Sequence, residues 1–292
     1  MTWPGLELDE FSVRNPYSGC VIDDRWIVVR STAVSGSYGA GDFAIFDADN
    51  GTARSFGGLS PGSGSGGWSA AVGMAAANGH AWTADSNNPT RIERIEPVGG
   101  STAIIATGLW FSNLMSATGD YVFGTNGSWG FKYRISTNVF VSWNVNTVNA
   151  AEAGVYCHVS GSTLTTIDAA SGATIGTWTL PAAPLTTQVG QAIGSRVYWL
   201  TASGCCWHNI SAGTIGATAP SPSGIPAPMS AMSWTPGPDG YIYFLSSTGA
   251  LVVLDPVSGR WATDSLPTAR TNRYRVFAAS GKIWIPSGET FF

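Results

Sequence analysis

Val155-Tyr-Cys-His-Val-Ser-Gly-Ser-Thr-Leu-Thr-Thr-Ile-Asp-Ala-Ala-Ser-Gly-Ala-Thr-Ile-Gly-Thr-Trp178 decides the fold. The stretch opens on Val155-Tyr-Cys-His158, a run that is apolar on consecutive positions. Such a run fits a strand sandwiched between neighbouring sheets rather than one with a wet face. It ends in Ile167-Asp168-Ala-Ala-Ser-Gly172, which reads as a tight turn. There a short polar side chain accepts a local backbone N–H and the glycine supplies positive φ.

Both signals recur along the chain. The run returns as Trp26-Ile-Val-Val29, Ala81-Trp-Thr-Ala84, Tyr121-Val-Phe-Gly124, Val197-Tyr-Trp-Leu200, Tyr241-Ile-Tyr-Phe244 and Ile283-Trp-Ile-Pro286. Successive starts lie 55, 40, 34, 42, 44 and 42 residues apart. The turn returns as Phe46-Asp47-Ala-Asp-Asn-Gly51 and Leu254-Asp255-Pro-Val-Ser-Gly259, with Ile95-Glu96-Pro-Val-Gly-Gly100 a close relative. Ile135-Ser-Thr-Asn138 and Ile210-Ser-Ala-Gly213 are worn copies. Helical periodicity is almost absent, and 13 Trp with many Val, Ile, Thr and Tyr favour short strands.

An inner strand, a loop, a third strand, this turn and a fourth strand describe one propeller blade. Seven repeats account for the 292 residues. The reading is therefore all-β: a seven-bladed β-propeller of four-stranded antiparallel blades, spanning residues 1–292 as a single domain. Loop insertions at Ser31–Asp42 and Ser60–Gly67 explain the long first interval. The last unit runs out of chain after its third strand. The N-terminal segment Leu6–Val13 is expected to supply the missing strand, pairing with Phe291-Phe292 and closing the ring, since an open strand edge invites aggregation.

On these runs and turns the chain resembles the β-propeller superfamily. The phrases ending in Trp178 and Trp261 look like those of quinoprotein-type and kelch-type blades. The kelch Gly-Gly doublet is missing, and no Gly-His…Trp-Asp pair recurs as in WD40 proteins.

Charge excludes further classes. Only 11% of residues are charged, against roughly 25% in an ordinary soluble domain. The net charge is −4 with Lys132 and Lys282 the only lysines, which gives no footprint for nucleic acid. No uninterrupted apolar stretch is long enough for a membrane helix. The first residues, Met-Thr-Trp-Pro-Gly-Leu-Glu-Leu-Asp-Glu, lack the basic and apolar regions of a secretory signal, so synthesis in the cytoplasm is expected.

The residues point away from catalysis. His80, His158 and His208 lie beside or within the strand runs, and nothing in their spacing makes a metal site; no metal and no cofactor is expected. Sialidase-type propellers carry turns of a different residue order and an arginine triad, whereas Arg270, Arg273 and Arg275 cluster on one connector. The adjacent Cys205 and Cys206 admit two readings, idle buried thiols or a strained vicinal disulfide. The Asp-x-x-Ser-Gly…Trp phrases and the adjacent cysteines, which the resemblance to quinoproteins implies could form a disulfide near a cofactor, are the attractions of a quinoprotein-like enzyme, the enzymatic alternative.

In a meander of antiparallel strands the second-to-third loops and the connections between blades share one face. That face collects Tyr38, Trp68, Asn87, Trp110, Phe111, Asn126, Trp129, Trp207, Arg273 and Tyr274. Rings and amides suit a carbohydrate, and Trp, Tyr and Arg are the usual anchors of a protein interface. A charge-poor, nearly Lys-free propeller rich in Gly, Ser, Thr, Ala and Trp looks like the minor tail or receptor-binding proteins of phages infecting actinobacteria. That resemblance implies a non-enzymatic virion component made in the host cytoplasm and acting in the tail tip, in host-surface adsorption or as a structural module. Its partners would be other tail proteins and a host cell-envelope glycan or protein, with no membrane insertion. A free-standing lectin-like or scaffold propeller is the non-enzymatic alternative.

Overall fold

In the computed structural model the described residues are 7–12, 16–31, 41–59, 74–84, 91–106, 114–125, 130–143, 149–185, 190–202, 204–218, 234–246, 250–264 and 276–287. Every regular element among them is a β-strand. After β1 (Glu7–Ser12) come six antiparallel sheets of four strands, each paired in chain order. The first is β2 (Pro16–Ile22), β3 (Trp26–Ser31), β4 (Gly41–Asp47) and β5 (Thr52–Leu59). The second is β6 (Met74–Ala77), β7 (His80–Ala84), β8 (Arg91–Ile95) and β9 (Thr102–Ala106). The third is β10 (Leu114–Thr118), β11 (Tyr121–Thr125), β12 (Gly130–Arg134) and β13 (Val139–Trp143). The fourth is β14 (Asn149–Glu152), β15 (Val155–Ser160), β16 (Thr163–Asp168) and β17 (Thr174–Thr179). The fifth is β18 (Gln191–Ile193), β19 (Arg196–Leu200), β20 (Cys205–Asn209) and β21 (Thr214–Ala217). The sixth is β22 (Trp234–Pro236), β23 (Ile242–Leu245), β24 (Leu251–Asp255) and β25 (Arg260–Asp264). The last described strands are β26 (Phe277–Ala279) and β27 (Lys282–Ser287).

Among the described residues the structure thus has six four-stranded blades, not the seven expected. The seventh apolar run lies in β27, but its sheet has three strands, in the order β1-β27-β26. Counting runs overestimates blades because a run marks one strand, while a blade needs three partners for it. The expected ring closure by Leu6–Val13 on Phe291 and Phe292 is not shown, and those two phenylalanines lie outside the described residues.

The chain divides into two compact units, residues 10–146 with 285–292, and residues 1–9 with 147–284. In the first unit, Ile22, Val28, Phe43 and Ile45 of the first blade pack with Met74, Ala81 and Ile95 of the second. The second blade's other face buries Ala75, Trp82 and Ile92 against Val122, Phe131 and Tyr133 of the third. In the second unit, Val155, Cys157, Val159 and Leu164 of the fourth blade pack with Val197, Trp199 and Cys206 of the fifth. The fifth blade turns Tyr198, Leu200 and Cys205 to Trp234, Ile242, Phe244, Val252 and Leu254 of the sixth.

This arrangement explains the runs. Successive side chains of a strand point to opposite faces, and in a stack of blades both faces are core. Val197 and Trp199 therefore serve one interface while Tyr198 and Leu200 serve the next, each of the four at 2% exposure or less. Full burial of such side chains is worth roughly 1.5–3 kcal/mol each. Glycines give the largest rings room beside the neighbouring backbone. A Cβ added to Gly216 would lie 2.3 Å from the Trp207 ring, and one added to Gly124 would lie 2.1 Å from Phe131.

Candidate functional site

The meander puts the first-to-second and third-to-fourth turns at one end of each blade. The second-to-third loop and the connection to the next blade lie at the other. All six turn phrases fall between third and fourth strands, as their local chemistry demands. In the fourth blade the Ser171 N–H and hydroxyl both donate to Asp168 Oδ1 at 2.6 Å, and the Gly172 N–H donates to the Asp168 carbonyl at 2.9 Å. In the sixth, Asp255 Oδ1 accepts from the Val257 and Ser258 N–H groups at 2.8 and 3.1 Å, while the Ser258 hydroxyl donates to Oδ2 at 2.5 Å. Gly51, Gly172 and Gly259 stand at φ of 66°, 77° and 69°, the left-handed region where a Cβ is unfavourable.

The fifth blade shows what made its copy look worn. Asn209, one residue before the phrase as read from the sequence, stands in place of Asp. Its Oδ1 accepts the Ala212 N–H at 3.0 Å, and the Gly213 N–H reaches its carbonyl at 2.9 Å. In the third blade Arg134 occupies that place and Asn138 takes the positive φ, at 55°.

A second layer of contacts ties this turn to the one beside it. The N–H just after the third strand donates to the carbonyl just before the second strand. The pairs are Ala48 to Arg25 (3.0 Å), Ile135 to Asp120 (2.9 Å), Ala169 to Gly154 (2.8 Å) and Ile210 to Ser195 (3.0 Å). Side chains at the same positions reinforce it. Arg25 grips Asp47 through Nε and Nη2 at 2.9 and 2.7 Å. In the third blade the signs are exchanged: Arg134 Nε donates to Asp120 at 3.0 Å, and Asp120 also accepts the Ser136 N–H at 2.8 Å and its hydroxyl. In the fifth, the Asn209 amide donates to the Ser195 hydroxyl at 3.2 Å.

These contacts hold the carboxylates ionised. The Arg25 hydrogen bonds, aided by Asn50, set Asp47 below the usual range despite its burial. Ser136, then Arg134, does the same for Asp120. For Asp255 burial pushes upward, but the hydrogen bonds from Ser258 and Val257 together outweigh it. Acceptors engaged by their own turns are structural.

The sequence reading assigns the expected binding residues to the opposite end. Tyr38, Trp68, Asn87, Trp110, Phe111, Asn126, Trp129, Arg273 and Tyr274 all lie outside the described residues. Trp207 is described, and it is a strand residue rather than a loop residue. It lies in β20, packs on Gly216 and against the core shared by the fifth and sixth blades, and carries the Arg196 guanidinium 4.0 Å above its ring. The adjacent-residue signal "Cys-Cys-Trp" could not distinguish loop from strand. The register Leu200↔Cys205 and Trp199↔Cys206 does.

That register also decides the cysteines. Adjacent residues of a regular strand face opposite ways, and Cys205 and Cys206 belong to the cores on either side of the fifth blade. Both thiols are free. Burial raises the Cys205 thiol well above its usual range and pushes Cys206 and Cys157 up to about 12, which leaves them unreactive. The vicinal disulfide is not formed.

The histidines are distributed, not gathered. His208 is buried with the Trp178 ring 4.5 Å away, and Trp178 crosses from the fourth blade to donate its indole N–H to the Gly213 carbonyl at 2.8 Å. Burial holds His208 below its ordinary range, only partly offset by the Thr214 backbone, and it holds His158 down likewise. His80 sits at the turn end, facing Glu96 at 3.0 Å. Among the described residues no group of three His, Cys, Asp or Glu side chains could hold a metal ion.

No protein-family model matches the chain, and no curated protein does. Among solved structures, 871 chains match, so the architecture is widely shared. One is the crystal structure of BamB from Moraxella catarrhalis, with a TM-score of 0.50 and 11% sequence identity, covering 81% of this chain and 74% of that one. At such identity the likeness carries the fold alone. The chain has a β-propeller fold built of four-stranded antiparallel blades.

Proposed function

We propose that this chain is a non-enzymatic binding propeller, mounted in a phage tail tip by its turn ends and serving host-surface adsorption with its loop ends. One observation carries the division of labour. The short third-to-fourth turns are closed on themselves, in most blades by a carboxylate or amide at the turn, whereas the long connecting segments all leave from the other ends of the strands. A fixed mount with variable loops suits a module that must change its ligand without disturbing its core. With Cys205 and Cys206 in separate cores, the turn phrases ending in Trp178 and Trp261 are what is left to favour a quinoprotein-like enzyme. The virion setting, and an envelope glycan or protein as ligand, rest on the charge-poor, nearly lysine-free composition and on the aromatic and amide residues of the loop segments.

The test is binding of the purified full chain to whole actinobacterial cells and to their isolated envelope glycans. Trp129→Ala and Tyr274→Ala should reduce binding, while Asp168→Ala and Asp255→Ala should leave it unchanged. Loss of binding through the turn substitutions alone, with the loop variants intact, would reverse the assignment of the two ends. Failure of the chain to co-purify with tail particles would remove the virion setting and leave a free-standing propeller.

A further inference from the structure

We infer that Asn78-Gly79, the two-residue turn between β6 and β7, is a self-modifying site at which Asn78 converts to aspartate and isoaspartate. In this chemistry the Gly79 nitrogen loses its proton and attacks the side-chain amide carbon of Asn78. A C–N bond forms to close a five-membered imide, the bond to the amide nitrogen breaks, and ammonia leaves with the proton. Water then opens the ring at either carbonyl. No electrons are transferred, and water is the only co-reactant.

Three observations single out this turn. First, the reacting groups are available: Asn78 is exposed, and neither its side chain nor the Gly79 N–H is hydrogen-bonded among the described residues. Second, His80 Nδ1 lies 2.6 Å from the Asn78 main-chain oxygen. That oxygen only accepts, so the ring donates, and the oxygen belongs to the peptide bond whose nitrogen is Gly79. Negative charge left on this amide by loss of the proton is shared with that oxygen, where a placed donor stabilises it. Third, Glu96 Oε2 faces the other ring nitrogen at 3.0 Å and fixes the ring's orientation, which makes Glu96 a positioning residue.

The same molecule contains the contrasting case. Asn50-Gly51 is the same dipeptide, also exposed, but both reacting groups are engaged. The Gly51 N–H donates to the Asp47 carbonyl at 2.9 Å and the Asn50 amide donates to Asp47 Oδ2 at 2.7 Å. No histidine touches it. The consequences of conversion at Asn78 are local and unfavourable. A new carboxylate arrives close to Asp23, whose Oδ2 lies 4.0 Å from where a Cβ on Gly79 would be. An isoaspartyl linkage also adds a backbone atom to a turn that must pair Ala77 with His80.

The test is peptide mapping by mass spectrometry of the full-length folded chain, aged at neutral pH. Asn50 serves as the internal reference. Asn78 should convert about tenfold faster than Asn50, the ratio expected when one hydrogen bond to a developing charge is present at one site only. His80→Ala should bring Asn78 down towards the Asn50 rate, and Glu96→Gln should have a smaller effect and alter its pH profile. Asn78→Ser should abolish conversion while keeping the fold, because Ser280-Gly281 already forms the equivalent turn with φ of 50° and 70°. Equal rates at Asn78 and Asn50, no conversion at Asn78, or an Asn78 rate indifferent to His80→Ala would overturn the inference.

Discussion

The first and third blades fasten the same two turns with the same pair of charges, placed the opposite way round. In the first, the cation precedes the second strand and the anion ends the third; in the third, Asp120 precedes and Arg134 ends. The backbone bond beneath each pair is nearly the same length, 3.0 and 2.9 Å. The position therefore requires a complementary pair, and not a particular residue at either place. The two versions differ in burial. The Asp47 side chain is 7% exposed and held by two nitrogens, whereas Asp120 is 28% exposed and held by one. Arg25 shields a buried carboxylate; Arg134 contacts one that water also reaches.

That comparison can be broken most severely from below. Trp82 is fully buried between the second and third blades, beside Tyr133, and donates its indole N–H to the Ala77 carbonyl at 3.1 Å. Trp82→Ala should destabilise by about 3–5 kcal/mol in denaturant titration, and should loosen the third blade with its ion pair intact. Gly124→Ala comes next. Its methyl group would collide with Phe131 inside the third blade, for a loss of about 1–3 kcal/mol; an unchanged midpoint would show that the ring can move aside.

Acid should separate two groups of residues. Burial depresses His158 and His208, so the unfolded chain binds their protons more readily. Their contribution is whole above about pH 6.5 and falls as pH drops through the folded values. Asp47, Asp120 and Asp255 are also depressed, so their contribution persists to about pH 4 and is lost only below it. Melting temperature against pH should show two declines, and His208→Gln should diminish only the upper one.

The finest test is the ion pairs themselves. Arg25→Ala should lower the melting temperature more than Arg134→Ala, because the first strands a buried carboxylate and the second an accessible one. Arg134→Asp should be worse than Arg134→Ala, and adding Asp120→Arg should restore most of the loss. If the exchanged pair fails to recover, complementarity is not what the position requires. Salt should weaken the Asp120 pair more than the Asp47 pair.

Much of this was legible in the chain because it is local. Ile167-Asp168-Ala-Ala-Ser-Gly172 makes its hydrogen bonds within five residues, and both its place and its chemistry could be read from that phrase. Val197-Tyr-Trp-Leu200 announced a strand with two buried faces. The exchanged pair was not legible, since Asp120 and Arg134 meet only when two strands align. Asn209 is not legible as a turn residue because an amide stands where the clear copies carry Asp, ahead of the apolar Ile210. The composition around Trp207 is loop-like, and only pairing with Tyr198 puts it in a strand.

The sequence by itself determined that this protein is all-β, repeating, with tight acidic turns between third and fourth strands, because those properties follow from side-chain periodicity and contacts a few residues apart. Tertiary structure alone decided how many blades have four strands, which blade interface each cysteine enters, and which charges meet. Those outcomes depend on partners distant in the chain. A strand's pattern states that it will be covered on both faces, but not which strand will cover it.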